Sequence, residues 1–116
     1  MGYKYLFYTE GNRCFAGEFI SERPEKEQGK IKYYLDLLAL RGPMLREPYA
    51  KKLNSDIFEL RPGFGNVEIR LFYFWDGDTA WFVSGIVKKS QKTPEREIKL
   101  AVERMKRYFA AKGGRI

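Results

Sequence analysis

Apolar and polar positions change their period several times along the chain, and each change marks an element. Tyr3 to Thr9 (YKYLFYT) is dense in aromatic residues, which suit the pleated, half-buried surface of a strand. Phe15 to Ile20 has room for one or two helical turns, ended near Pro24. From Glu25 to Leu40, Ile31, Tyr34, Leu35 and Leu38 recur at i, i+3, i+4 and i+7, the stripe of an amphipathic helix. Arg41-Gly42-Pro43 stops that helix. Tyr49 to Leu53 reads as a short turn or helical loop, and Ile57 to Arg61 as a second strand closed by Pro62-Gly63. Gly63-Phe64-Gly65 lacks the spacing of a dinucleotide-binding loop and reads as a turn.

Val67 to Trp75 and Thr79 to Lys88 flank Asp76-Gly77-Asp78, a strong hairpin signal. Thr93 and Pro94 read as N-cap and first residue of a last helix, with Glu95 and Glu97 near its positive end. Ile98, Ala101, Val102, Met105, Tyr108 and Phe109 share one face of that helix, and Gly113-Gly114 ends it. The order β, α, α, β, β, β, α predicts one α+β domain over residues 1–116. Its sheet is expected to be antiparallel, twisted and packed with helices.

A two-residue turn in the hairpin pairs odd positions of one strand with even positions of the other. Val67, Ile69, Leu71, Tyr73, Phe82, Ser84 and Ile86 then face the core. The second face holds Glu68, Arg70, Phe72, Phe74, Trp81, Val83, Gly85, Val87 and Lys89. In the preceding strand Phe58 and Leu60 point to the core, which leaves Glu59 and Arg61 on the second face. That face is expected to be half apolar, with Lys51, Lys52 and Lys88 nearby. Rings interleaved with cations suit single-stranded nucleic acid, whose bases stack and whose phosphates need neutralising. Cross-strand Glu–Arg pairing on an ordinary solvated sheet is the competing account. Leu35, Leu38, Phe58, Leu60, Ile69, Leu71, Ile98, Val102 and Met105 are the expected core.

Composition narrows the chemistry. The 116 residues contain no histidine and one cysteine, Cys14. His-based acid–base catalysis, Cys-His pairs, a disulfide framework and Cys-based zinc cages are thereby excluded. Cys14 is expected to be structural, and Asp76 and Asp78 to be turn formers rather than a metal pair. No apolar run reaches the roughly 20 residues of a membrane span, and Met1 to Glu10 lacks the layout of a signal peptide. A reducing cytoplasm is the expected compartment.

The net charge is +7, from 22 basic and 15 acidic side chains. Residues 88–116 carry ten basic groups against three acidic ones, so this last quarter holds an excess equal to the total. Charge alone fits equally a surface for a polyanion and a solvated, Lys-rich terminal helix. Val87 to Pro94 (VKKSQKTP) is the densest polar stretch and precedes a helix N-terminus, whose backbone N–H groups suit a phosphate.

Four blocks together carry a resemblance: Glu47-Pro48-Tyr49-Ala50-Lys51-Lys52-Leu53, Phe58-Glu59-Leu60-Arg61, Arg70-Leu71-Phe72-Tyr73 and Lys88-Lys89-Ser90-Gln91-Lys92-Thr93-Pro94. In this order and spacing they resemble the phage-derived HigB-like branch of the RelE/ParE toxin superfamily, over nearly the whole chain. The resemblance implies the toxin of a type II toxin–antitoxin pair, cleaving mRNA at the ribosomal A site. Its implied partners are the ribosome with mRNA and a cognate helix-turn-helix antitoxin of the HigA kind. Operator DNA is implied only through the antitoxin complex, and no membrane is involved. An acidic antitoxin is expected to be drawn to the positive field of residues 88–116. The family's basic surface falls on Lys51, Lys52, Arg61, Arg70, Lys88 and Lys89. Many relatives have His where this chain has Ser84, and the parity argument puts that position on the core side.

Cleavage by 2′-hydroxyl attack needs a base, cations at the crowded phosphorane and an acid at the leaving oxygen, but no metal or cofactor. Arg61 and Arg70 suit the phosphorane. Lys52 or Lys89, its pKa lowered by neighbouring cations, is the expected proton-transfer group, with Glu59 a rival base and Tyr73 a rival acid. Lys51, Lys88, Lys92 and Thr93 are the expected RNA contacts. Two other readings stay open: a ParE-like inhibitor of DNA gyrase, and an RNA-binding module without catalysis.

Overall fold

The computed structural model describes residues 2–54, 56–88 and 92–113. In chain order these form β1 (Lys4–Phe7), α1 (Phe15–Ser21), α2 (Glu25–Arg41), a 3-10 turn (Gly42–Met44), β2 (Ala50–Lys52), β3 (Phe58–Leu60), β4 (Gly63–Phe64), β5 (Val67–Asp76), β6 (Thr79–Lys88) and α3 (Glu95–Gly113). The α+β class holds, with three corrections. Tyr49 to Leu53 is not a turn or helical loop, because Ala50–Lys52 pairs antiparallel with β3. Three residues are too few to display a period of two. The sheet is mixed rather than wholly antiparallel: its order is β1-β6-β5-β3-β2, and β1 runs parallel to β6. Strand direction there depends on the path of the whole intervening chain, which no local pattern encodes. The expected turn at Gly63-Phe64-Gly65 is partly strand, since Gly63 and Phe64 pair with β5.

The β5–β6 hairpin turns through Gly77-Asp78, with Asp76 opposite Thr79. Gly77 sits at φ +61°, the left-handed conformation that a two-residue hairpin asks of its first central residue. Tyr73 lies opposite Phe82 and Phe74 opposite Trp81, as parity requires. The register then shifts between Phe72 and Tyr73, leaving Val83 as an extra residue on β6. Beyond this bulge Phe72 faces Ser84, Arg70 faces Ile86 and Glu68 faces Lys88.

A bulge of one residue moves every following side chain to the other side of the sheet. Ser84 and Ile86 therefore leave the core face expected for them and join Arg70 and Phe72. Gly85 and Val87 move the opposite way, and Lys89 lies outside the described residues. Close approach by α1 explains the choice. A Cβ at Gly85 would stand 2.5 Å from the Phe19 ring, so this side accepts only glycine at that point. Arg104 of α3 donates to the Val83 carbonyl at 2.8 Å and stacks 3.5 Å over the Phe15 ring, holding the bulge from the other side.

The sheet separates two cores. On one side Ala16 of α1 and Ile31, Leu35 and Leu38 of α2 pack on Leu60, Ile69, Leu71, Tyr73 and Phe82. On the other, Ala101, Val102, Met105 and Tyr108 of α3 cover Ile57, Phe72, Phe74 and Val83. The expected open, half-apolar face is thus largely closed: Phe72, Phe74 and Val83 are 0–1% exposed. An amphipathic last helix must bury its stripe, and this side of the sheet was the one left vacant. Stacking of RNA bases on Phe72 and Phe74 is excluded by the same packing. Of the expected core residues, Phe58, Val102 and Met105 are half-buried and the rest are buried.

Part of the terminal charge is structural. Arg107 pairs with Glu10, and Asp76 accepts from both Lys112 and Tyr108. Leu71, with no exposed surface, lies in the middle of the α1/α2 side. Leu71→Ala is expected to lower unfolding free energy by about 2–5 kcal/mol in urea titration, through lost burial and a residual cavity. A midpoint unchanged from wild type would mean the two faces are wrongly assigned.

Candidate functional site

Strand register brings one line of side chains across the sheet: Lys51 on β2, Glu59 on β3, Phe72 on β5 and Ser84 on β6. Arg61, just past β3, and Arg70 on β5 follow one pleat further along, and Glu68 and Lys88 the next. Alternation along each strand gives all of them the same side, which is also the α3 side.

Glu59 is the hub. It is 1% exposed, and both its oxygens are engaged. Thr93 donates its hydroxyl to Oε1 at 2.8 Å. Arg61 Nε donates to Oε2 at 2.9 Å, its Nη2 lies at the same distance, and Arg70 Nε stands 3.7 Å away. Arg61 keeps a fifth of its side chain exposed and reaches Glu47 at 3.7 Å. Arg70 is buried; its Nη2 donates to Glu68 at 3.0 Å and its Nη1 to the Ile69 carbonyl at 2.9 Å.

This arrangement revises Thr93. Helix α3 begins at Glu95, and the Pro94 carbonyl accepts the N–H of Glu97 at 3.0 Å. The Thr93 side chain instead ties the segment before α3 to the sheet. A buried carboxylate that accepts from a hydroxyl and a guanidinium is an anchor; it has no free lone pair aimed at solvent to receive a substrate proton. The two guanidinium groups are held in place by Glu59, Glu47 and Glu68, which offset their charge, and Lys88 and Lys51 supply the positive charge beyond that.

Lys88 is half-buried at the end of β6. Burial, and then the positive charges of Arg70 and Arg61, hold its ammonium pKa below the ordinary 10.5, with Glu59 and Glu68 opposing. Sequence reasoning gave Lys88 only RNA contact. Its perturbed environment could have been anticipated only by knowing that the bulge turns it toward Arg70.

The other expected site residues are scattered. Lys51 is exposed and shares the side of Glu59. Lys52 is opposite Phe58, so it belongs to the other side of the sheet, where it lies 3.6 Å from Asp56. Tyr73 is 1% exposed on that other side, stacked on Phe58, and burial pushes its phenol far above its usual pKa. Lys92 is exposed near the Thr93 anchor. Lys89 lies outside the described residues. Ser84, expected on the core side, instead shares the site's side, and its buried hydroxyl has no hydrogen-bond partner among the described residues.

Residues 18–106, about three-quarters of the chain, match the family model described as phage derived protein Gp49-like. No curated protein matches the sequence. The matched span runs from α1 into α3 and includes Glu59, Arg61, Arg70, Lys88 and Thr93.

Proposed function

The chain belongs to the phage-derived Gp49-like family, within the RelE/HigB-like toxin–antitoxin group, and on that premise we propose that it is a ribosome-dependent mRNA endonuclease. The observation carrying this reading is the buried Glu59 that holds Arg61 and Arg70 beside Lys88 and Lys51. Cations held in fixed positions stabilise charge that develops on a phosphorane without reorganising during the reaction. Arg61, with its partly exposed fork, contacts the phosphate. Arg70 is buried and contributes its charge. Lys51 and Lys92 neutralise flanking phosphates.

Lys88 is the proposed base at the 2′-hydroxyl, because its lowered pKa enlarges the neutral fraction at any pH below that value. Lys52 and Tyr73 are not given proton-transfer roles, since both belong to the other side of the sheet. Lys89 remains a second candidate base. An isolated cluster of this kind aligns RNA poorly, whereas a ribosome-held codon would supply orientation worth roughly 7–11 kcal/mol of barrier. A HigA-like antitoxin and the ribosome are the partners this reading calls for.

One observation favours binding without catalysis, as in a ParE-like gyrase inhibitor. Glu59 is saturated and Tyr73 is enclosed, which removes both carboxylate and phenol from proton transfer. Primer extension on translated mRNA, run beside a gyrase cleavage assay on plasmid DNA, distinguishes the alternatives. Cuts that require ribosomes support the nuclease, gyrase-dependent DNA breaks the inhibitor, and neither a plain binding module. For the nuclease, the cleavage rate is expected to rise with pH as Lys88 loses its proton, with a midpoint lower than that of an ordinary lysine. Lys88→Arg should abolish that rise; an unchanged profile would remove Lys88 from the mechanism.

A further inference from the structure

Helix α2 is apolar on two opposite sides. Ile31, Leu35 and Leu38 turn inward and are 0–3% exposed. Tyr33, Leu37 and Leu40 also recur at i, i+4 and i+7, but roughly half a turn of the helix away. Tyr33 is 60% exposed and Leu40 67%. The 3-10 turn extends this outer stripe with Met44, 69% exposed, and Tyr49 joins it at 39%. Tyr33, Leu37, Arg41, Met44, Arg46 and Tyr49 help to line one concavity of about 340 Å³. Single exposed apolar residues are ordinary, but here half of the eight large exposed ones among the described residues gather at one corner.

The rim of this patch is cationic. Lys26 and Lys30 precede Tyr33 on the same side of α2, while Arg41 and Arg46 stand at its far end. Among the described residues no carboxylate lies within ion-pair distance of Arg41 or Arg46, and Glu47 turns toward Arg61. Tyr33 and Tyr49 offer rings to a base, but Leu40 and Met44, the two most exposed side chains of the patch, offer only alkyl surface, which favours a protein partner over RNA. A second copy of the chain fits poorly as well, since a two-fold interface would lay one cationic rim against another. What complements the patch is a helix with an aliphatic stripe flanked by Asp and Glu.

We propose that the outer side of α2, with the 3-10 turn, is the docking surface for an acidic amphipathic helix of the antitoxin. This rests on the toxin reading above. The surface adjoins the site through the backbone: Tyr49 accepts the Arg61 N–H at 2.8 Å, and Glu47 reaches the Arg61 side chain. A helix seated there lies across the sheet from α3, which it does not displace, and meets the site only through the segment of Glu47 and Tyr49. It also shifts the electrostatic contact from the basic last quarter, where Arg107 and Lys112 already have acidic partners.

The test uses the full chain and the polypeptide encoded beside its gene. The double variant Leu40→Asp, Met44→Asp alters only exposed side chains. It is expected to arrest growth as wild type does, to bind that polypeptide at least 100-fold more weakly, and to escape rescue by it. Arg41→Gln with Arg46→Gln should slow association and flatten its salt dependence. Equal binding by wild type and the double variant would overturn the docking surface and leave the toxin reading intact. A wild-type chain that neither arrests growth nor binds the polypeptide would remove both. A wild-type dimer that the double variant dissociates would assign the patch to a second copy instead. Loss of ribosome association with antitoxin binding intact would assign it to RNA, and would equally overturn the proposal.

Discussion

Arg61→Ala is expected to reduce cleavage of ribosome-bound mRNA by about 10²–10³, the usual cost of removing one oriented charge from a developing anion. Arg61 is the informative arginine because the two are not equivalent in the fold. Part of the Arg61 side chain is exposed, and its removal leaves Glu59 with Thr93 and the nearby Arg70 as partners. The fold should survive. Arg70 is 7% exposed and engages Glu68 and the Ile69 carbonyl as well as the region of Glu59. Its removal will lower stability together with activity, so an inactive Arg70→Ala protein alone proves little. An intact fold is therefore expected of Arg61→Ala and not of Arg70→Ala. Arg61→Lys keeps the charge but loses the two-pronged contact, and should fall between wild type and alanine. Growth arrest by Arg61→Ala at wild-type expression would remove this residue from the phosphate site.

The features legible in the sequence are those with a local cause. The inner stripe of α2 and the Gly77-Asp78 turn depend on helical period and turn chemistry, which neighbouring residues encode. The side occupied by Glu59, against Phe58 and Leu60, followed from simple alternation. Lys51 and Lys52 show where this stops. With Tyr49 to Leu53 read as a turn, no alternation applied and both lysines seemed available; as strand β2, they are sent to opposite sides of the sheet. Ser84 and Lys88 needed information still further away. Their placement depends on a bulge selected by the approach of Phe19 to Gly85 and held by Arg104, contacts between elements that no window of sequence contains.

The aromatic residues of the second side failed for a different reason. Phe72 and Phe74 alternate with Glu68 and Arg70 as a binding surface would, but the same pattern serves a sheet that is covered by a helix along part of its width. The amphipathic stripe of α3 was read correctly, yet its destination was not assigned. Once α3 takes its place, the apolar portion of that side becomes core and only the cationic portion remains for function. Thr93 connects the two. Its hydroxyl looked like a helix cap, and the partner that claims it, Glu59, lies 34 residues away.

Glu59 carries the second large expectation. Glu59→Ala should lower unfolding free energy by about 1–3 kcal/mol, because Thr93 loses its buried acceptor and Arg70, still paired with Glu68, loses a second carboxylate. Activity should fall as far as in Arg61→Ala, since Arg61 is then free to swing toward Glu47 and no longer presents its fork in one direction. Stability and activity can be separated by a paired substitution. Glu59→Leu together with Arg70→Met replaces buried charges by apolar groups of similar size, a change often neutral or stabilising. The double variant is expected to regain most of the stability lost by Glu59→Ala in urea titration, with positive coupling in the mutant cycle. It should nevertheless remain inactive on ribosomes, because Arg61 has lost its anchor and the site one of its cations. A stable double variant that still cleaves would make the Glu59 hub a packing device alone, and would shift the phosphate-binding role to Lys88 and Lys51.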